Sequence, residues 1–335
     1  MSALATTHPT LLDVAKRLDP DGKIATIVEM LNQTNEVLDD AVWIESNEAT
    51  SHVTTIRTGI PAPTWRRLYG FVQPTKSTTV QVRDTTGMLE AYAEVDKALA
   101  DINGNTAAFR LSEERPHIEG MNQEQADTIF HGNEGTEPEA FTGLLPRFND
   151  GTAANGQNII DAGGSSNLQS VWLVVWGPNT VHCLYPKGSK AGLQVTDKGV
   201  VTIESLGNGV ASSGRMEAYR THYRWDSGFS VRDWRYVVRI ANIDVTALTK
   251  NAATGADLID LMTQALELVQ DTSMGRPAFY CSRTIRSYLR RQITNKVASS
   301  TLTMENVAGK KVVTFDGVPV RRVDKIVTGE SEVTF

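Results

Sequence analysis

Hydrolytic and metal chemistry need nucleophiles, imidazoles, carboxylates or thiolates at set spacings, and the candidates in this sequence are scattered. The histidines, His8, His52, His117, His131, His182 and His222, form no HExxH or HxH pattern and show no close carboxylate spacing. A metal site would have to be assembled wholly by the fold. Cys183 and Cys281 lie far apart without a CxxC partner, which signals neither a zinc knuckle nor a disulfide framework. Two buried thiols are expected, since free cysteine behaves as a small hydrophobe. Asp226-Ser227-Gly228 has the look of a serine-protease nucleophile loop, but Trp225 stands where that loop needs glycine. With His222 it makes the one hydrolase-like cluster, but a turn is the better reading of the segment. Gly207-Asn208-Gly209 with Gly214 lacks the spacing and the strand-turn-helix context of a dinucleotide fingerprint and reads as a surface loop. No Walker A loop occurs. Asn32-Gln33-Thr34 fits a glycosylation sequon without a secretory signal before it, so a helix surface is expected there. No catalytic, cofactor-binding or metal-binding residue follows from these patterns.

Binding is better represented than catalysis. Trp65-Arg66-Arg67, with Tyr69 and Phe71 close behind, gathers the residue types in which interfaces concentrate their energy. Packing of this segment onto its own domain is the alternative. Arg283, Arg286, Arg290, Arg291 and Lys296 lie opposite the apolar stripe of one helix, where they could meet phosphate or an acidic partner, or face solvent.

The elements that must carry these groups follow from periodicity. Residues 10–38 hold two helical patterns divided by Asp19-Pro20-Asp21-Gly22, the second with Ile24, Ile27, Val28 and Leu31 on one face. They precede any core-forming pattern and read as an arm that docks on something. His52–Thr58 and Ser77–Arg83 are Thr-rich and alternating, as strands are, and the Pro/Gly-rich stretch between them makes a long hairpin with an elaborate tip. Few apolar residues lie on either face, and a two-stranded hairpin is marginal alone, so something outside it must cover it. Met88, Leu89, Tyr92, Val95 and Leu99 suggest a helix, capped by Asp84 or Thr85 and ended near Asn103-Gly104, with a shorter helix over residues 122–131. After a Gly/Asn-rich loop, Val171–Trp176 is a continuous apolar run expected to be a strand buried on both faces. Val181–Tyr185, Met216–Trp225 and Trp234–Ile243 are further strands. Helices are expected over residues 257–270, with Leu258, Leu261, Met262, Ala265, Leu266 and Val269 on one face, and over residues 283–297, with Ile285, Leu289 and Ile293. Val312–Phe315 turns at Asp316-Gly317 and resumes at Val318-Pro319-Val320.

The 335 residues, 40% hydrophobic and 21% charged, suit a folded chain of about two domains at roughly 150 residues each. Lys and Arg number 33 against 39 Asp and Glu, a net charge of −6, which argues against coating DNA or anionic lipid by bulk charge. No run approaches the roughly 18 apolar residues that span a bilayer, so no membrane partner is expected.

The order of elements, with Thr10–Arg17, Asp19–Lys23, Thr64–Leu68, Pro74–Thr79, Arg239–Asp244 and Phe315–Val320, resembles the major capsid proteins of tailed phages with the Hong Kong 97-like fold, most of all those of short-tailed phages of the epsilon-15 group. That resemblance implies an α+β chain divided into an N-terminal arm (1–40), an extended β-hairpin loop (41–86), a peripheral domain with a spine helix (87–140 with part of 301–335) and an axial domain (141–300). It implies a subunit that assembles with itself, as hexamers and pentamers, into an icosahedral shell around packaged double-stranded DNA, without cofactor or enzymatic step. The virion would be its location and the host cytoplasm its place of assembly. Scaffold and portal proteins and a small stapling or decoration protein would be partners. Inter-subunit contacts are then expected from Trp65, Arg66, Arg67 and Tyr69 at the hairpin tip and from Leu11, Leu12, Ile24, Ile27 and Leu31 in the arm. Lys76 is the only lysine of the hairpin and no isopeptide acceptor can be named. A shell of the same fold around protein cargo, and a cytoplasmic β-rich hydrolase built on His222, Asp226 and Ser227, are the alternatives.

Overall fold

The structure is a computed structural model that describes residues 35–102, 106–205, 214–248, 255–294, 302–307, 310–326 and 328–335. The expectations for Leu11, Leu12, Ile24, Ile27 and Leu31, for the sequon at Asn32, for Gly207-Asn208-Gly209 and for Lys296 fall outside the described residues. Helices and strands mix along the chain: α1 (Val37–Asp40), β1 (Trp43–Glu45), β2 (Ser51–Gly59), β3 (Thr78–Asp96), α2 (Lys97–Asp101), α3 (Thr106–His131), β4 (Ile159–Asp161), β5 (Leu168–Trp176), β6 (Val181–Tyr185), β7 (Gln194–Ser205), β8 (Gly214–Val231), β9 (Val237–Asp244), α4 (Leu258–Leu268), β10 (Arg276–Cys281), α5 (Arg283–Thr294), β11 (Leu302–Val307), β12 (Lys310–Phe315) and β13 (Val318–Arg322). The described residues fall into two compact units, one within residues 35–87, 126–191 and 227–335, the other within 88–125 and 192–226.

In the larger unit β5 is central. It pairs antiparallel with β10 on one side and β9 on the other, with β13, β12 and β11 beyond β10 and β4 beyond β9. Every residue of β5 is buried, as its unbroken apolar run requires. Trp172, Val174 and Trp176 enter one core with Phe130, Phe141, Leu144 and Phe148. Val171, Leu173 and Val175 enter the other, covered by Leu258, Met262 and Ala265 of α4 and by Ile285 and Leu289 of α5. Asp257 caps α4 by accepting from the Ile259 and Asp260 amides at 3.2 and 3.5 Å. Asp316 and Gly317, at φ 49° and 78°, join β12 to β13, the two left-handed residues that a tight hairpin turn of this hand demands.

In the smaller unit β7 and β8 form a long antiparallel ladder, from Gln194 opposite Arg224 to Ser205 opposite Gly214, and β3 neighbours β8. Here two expectations are corrected. The segment carrying Met88, Leu89, Tyr92 and Val95 is the second half of β3, not a helix, and only Lys97–Asp101 is helical, capped by Asp96. Leu89, Ala91, Ala93 and Val95 point inward while Met88, Glu90 and Tyr92 face out, so the segment also obeys a period of two, and pairing decided between the periods. The short helix expected at 122–131 is the end of α3, a 26-residue helix that runs through Pro116. Proline lacks an amide to donate and the stripe is broken, with Leu111 and Ile118 exposed beside buried Phe109 and Met121.

Candidate assembly surfaces and a candidate active site that does not form

The two Thr-rich strands pair as a hairpin, from Ser51 opposite Thr85 to Gly59 opposite Thr78, with an irregularity between Arg57 and Gly59. Beyond that pair, residues 60–77 make no further ladder, because Pro61, Pro63 and Pro74 have no amide to donate. A turn closes at the tip, where the Gly70 amide donates to the Arg67 carbonyl at 3.0 Å and Tyr69 is held at φ 63°. Trp65, Tyr69 and Phe71 are each at least 99% exposed, and Ile60 and Leu68 nearly so. This excludes packing of the tip onto its own domain. Rings of this size each remove about 150–250 Å² from water when covered, which makes the patch a candidate interaction surface.

The root of the hairpin is the reverse, closed and polar. Asp84 is buried, accepts from Arg147 at 2.8 Å and from the Ser230 hydroxyl at 2.6 Å, and stands opposite His52 in the ladder. Arg147 also donates to the carbonyls of Thr142 and Phe229. Asn47 brackets Val53, donating to its carbonyl at 2.8 Å and accepting its amide at 2.9 Å. The His52 and His182 rings meet edge to face at 5.8 Å. Burial first, then the neighbouring His52, lowers His182 to about 4; burial likewise lowers His52, against the pull of Asp84.

The basic helix α5 is less free than its sequence suggests. Arg286 pairs with Glu36 at 3.2 Å, and Arg321 approaches the same carboxylate at 3.8 Å and Asp40 at 2.9 Å. Tyr280 donates to Asp40 at 3.0 Å and accepts from the Trp176 indole at 2.7 Å. Asn35 bridges to Val323. Residues 35–40, the root of the expected arm, are thus tied to α5, β13 and the core by charges that spacing could not connect. Arg283, Arg290 and Arg291 lie on the exposed side.

The hydrolase-like cluster is not assembled. His222, Asp226 and Ser227 all lie on extended β8, where four residues span about 13 Å, so the turn expected at Asp226-Ser227-Gly228 does not form either, the strand running on to Val231. His222 contacts Glu90 at 3.1 Å and stacks on Tyr92, while Asp226 accepts from Arg224 at 2.8 Å. One close imidazole-carboxylate spacing escaped the sequence reading: Asp127 and His131, one helical turn apart, meet at 2.6 Å, with Lys325 at 3.3 Å from the same carboxylate. Among the described residues no group of three His, Cys, Asp or Glu could hold a metal ion, and no helix is long and apolar enough to cross a membrane. Cys183 and Cys281 are buried, and burial pushes the Cys281 thiol up to about 12 and that of Cys183 higher.

Against known proteins, residues 19–334 match the family described as major capsid protein GP7. No curated protein sequence matches. Among solved structures, a chain in the near-atomic cryo-EM structure of bacteriophage Epsilon15 is 40% identical, with all of both chains covered and a TM-score of 0.76. The bacteriophage JBD30 capsid is 12% identical over 97% of each chain, TM-score 0.45, and the holo-SrpI encapsulin complex of Synechococcus elongatus PCC 7942 is 11% identical over 74% of this chain and 95% of its own, TM-score 0.41. Likenesses as remote as these two bear no functional argument.

Proposed function

The chain belongs to the major capsid protein GP7 family, a phage shell subunit of Hong Kong 97-like fold, and from that premise we propose that its hairpin tip is the contact by which one subunit reaches the next. The single observation that carries this is the tip itself: a rooted hairpin whose Trp65, Leu68, Tyr69 and Phe71 are left in water. On this reading the subunits close as hexamers and pentamers around double-stranded DNA, in the host cytoplasm, with scaffold and portal proteins and a small stapling protein as partners. The chain performs no catalytic step. DNA is contained without base readout, since the chain's net charge is −6 and it carries no nucleic-acid motif. Residues 87–140, with part of 301–335, serve as the peripheral domain, with α3 as its spine helix, and residues 141–300 as the axial domain. Arm residues Leu11, Leu12, Ile24, Ile27 and Leu31 bury against adjacent subunits, from a root that Glu36 and Asp40 hold in place.

The test is Trp65→Ala. Particle yield on expression should collapse while the circular dichroism and urea midpoint of the unassembled subunit stay at wild-type values. Normal particle yield, or an unfolded subunit, would overturn the reading.

A further inference from the structure

Glu48 and Asp84 bracket the hairpin, and the 35 residues between them contain no acidic side chain. They carry Arg57, Arg66, Arg67, Lys76 and Arg83, a charge of +5 with His52 neutral, while the other 300 residues hold 28 basic and 39 acidic side chains, a net −11. Charge is therefore segregated by structure: one projecting element is wholly basic and the rest of the molecule is acidic. Of the five cations, only Arg83 has a described ion-pair partner, Glu48 at 3.4 Å. Arg57, Arg66, Arg67 and Lys76 are all partly or fully exposed. A cationic element with no internal carboxylate gains nothing from its own strands, but it gains attraction and orientation when it meets a surface of opposite sign.

We propose that the hairpin recognises a second copy of this chain through charge, its four exposed cations seating on Asp and Glu side chains of the neighbouring subunit around the apolar contact of Trp65, Tyr69 and Phe71. This rests on the reading that the hairpin reaches a neighbour, and adds what it meets there. Every other copy offers the complement, at net −11, and the aromatic patch fits a protein surface. Packaged nucleic acid, the other polyanion, is distinguished by the test. The design suits a lattice, because like-charged hairpins repel one another and cannot pair tip to tip, so each is steered to the acidic body of a neighbour.

Two measurements on whole particles decide it. First, particles are assembled from a mixture of isotopically light and heavy subunits carrying Arg66→Lys and Arg67→Lys, then treated with a carbodiimide, which joins an amine to a carboxylate only in contact. Mixed-isotope peptides should link Lys76 or the new tip lysines to Asp or Glu outside residues 49–83. Links confined to one copy, to another protein, or absent altogether overturn the proposal. Second, Arg57→Gln/Arg66→Gln/Arg67→Gln/Lys76→Gln should form about tenfold fewer particles than wild type at about 50 mM salt and approach wild type near 1 M, where screening acts within about 3 Å. Equal yields at every salt concentration, with Trp65→Ala still blocking assembly, would show an apolar contact and sink the proposal alone. Full assembly by both variants would sink the underlying reading as well. Loss of the tip-lysine cross-links to protein carboxylates in DNA-filled particles, with those cross-links formed in empty ones, would give the contact to nucleic acid.

Discussion

Arg239 and Glu330 form an ion pair 2.7 Å long whose side chains are 2% and 3% exposed, ninety-one residues apart in sequence. Arg239 also donates to the Ser170 hydroxyl at 2.9 Å and the Phe148 carbonyl at 2.6 Å, and it lies over the Trp172 ring. Burial lowers the affinity of Arg239 for its proton, and Glu330 opposes this. The pair straps residues 328–335 to the sheet, helped by Asn242, which donates to the Val333 carbonyl and accepts its amide. Removing one buried charge strands the other, at a cost of about 3–5 kcal/mol. Glu330→Ala should therefore lower the unfolding free energy of the unassembled subunit by that amount in urea titrations. Arg239→Leu/Glu330→Leu, which removes both charges, should cost much less. Equal losses from the two variants would contradict the account.

The histidine pair at the hairpin root predicts acid sensitivity. The groups facing it are Asp84, which favours the charged form, and Arg232, which opposes it, with Arg147 bound to Asp84 beside them. His182 is lowered from 6.5 to about 4, so the unfolded chain binds protons that the folded chain refuses. Stability is full above pH 6.5 and falls as pH drops from there towards 4, by roughly 3 kcal/mol at most. Urea midpoints measured from pH 7.5 to 4 should show this slope, and His182→Asn should flatten it. A slope unchanged by that substitution would place the sensitivity elsewhere.

The lattice is expected to hold without covalent links. Both thiols are buried with raised pKa, which suppresses the reactive thiolate, and Lys76 is the hairpin's sole lysine. Particles boiled in detergent should give a single band near 36.6 kDa with or without reductant. A ladder that survives reductant would reveal isopeptide bonds, and one that reductant collapses would reveal disulfides.

Much of the candidate surface could be read before any coordinates. Trp65, Arg66, Arg67 and Tyr69 stood out because interface-prone residue types sat in a Pro-rich segment that could not extend a ladder. Their exposure was a separate matter, since the same residues folded back would have made a small core. Arg239 carried a faint signal, a charge inside the apolar run Val237-Val238-Arg239-Ile240, but nothing in the spacing pointed to Glu330.

Local patterns alone determined the elements whose periodicity admits one solution. Val171–Trp176 read as a strand buried on both faces, α4 and α5 each showed one apolar stripe, and Asp316-Gly317 turned a hairpin; that the stripes cover β5 was a matter for the fold. The tertiary structure decided what local preference leaves degenerate. Met88–Val95 satisfies both the helical and the strand period, and its backbone bonds went to a neighbouring strand. Pro116 sits within α3, although its lost hydrogen bond argues locally for a break. Arg286, one of a row of similar cations, is tied to Glu36 across 250 residues. Spacing records which face a side chain occupies. The partner that neutralises a charge, or pairs a strand, is supplied by distant chain, and only the folded molecule brings it near.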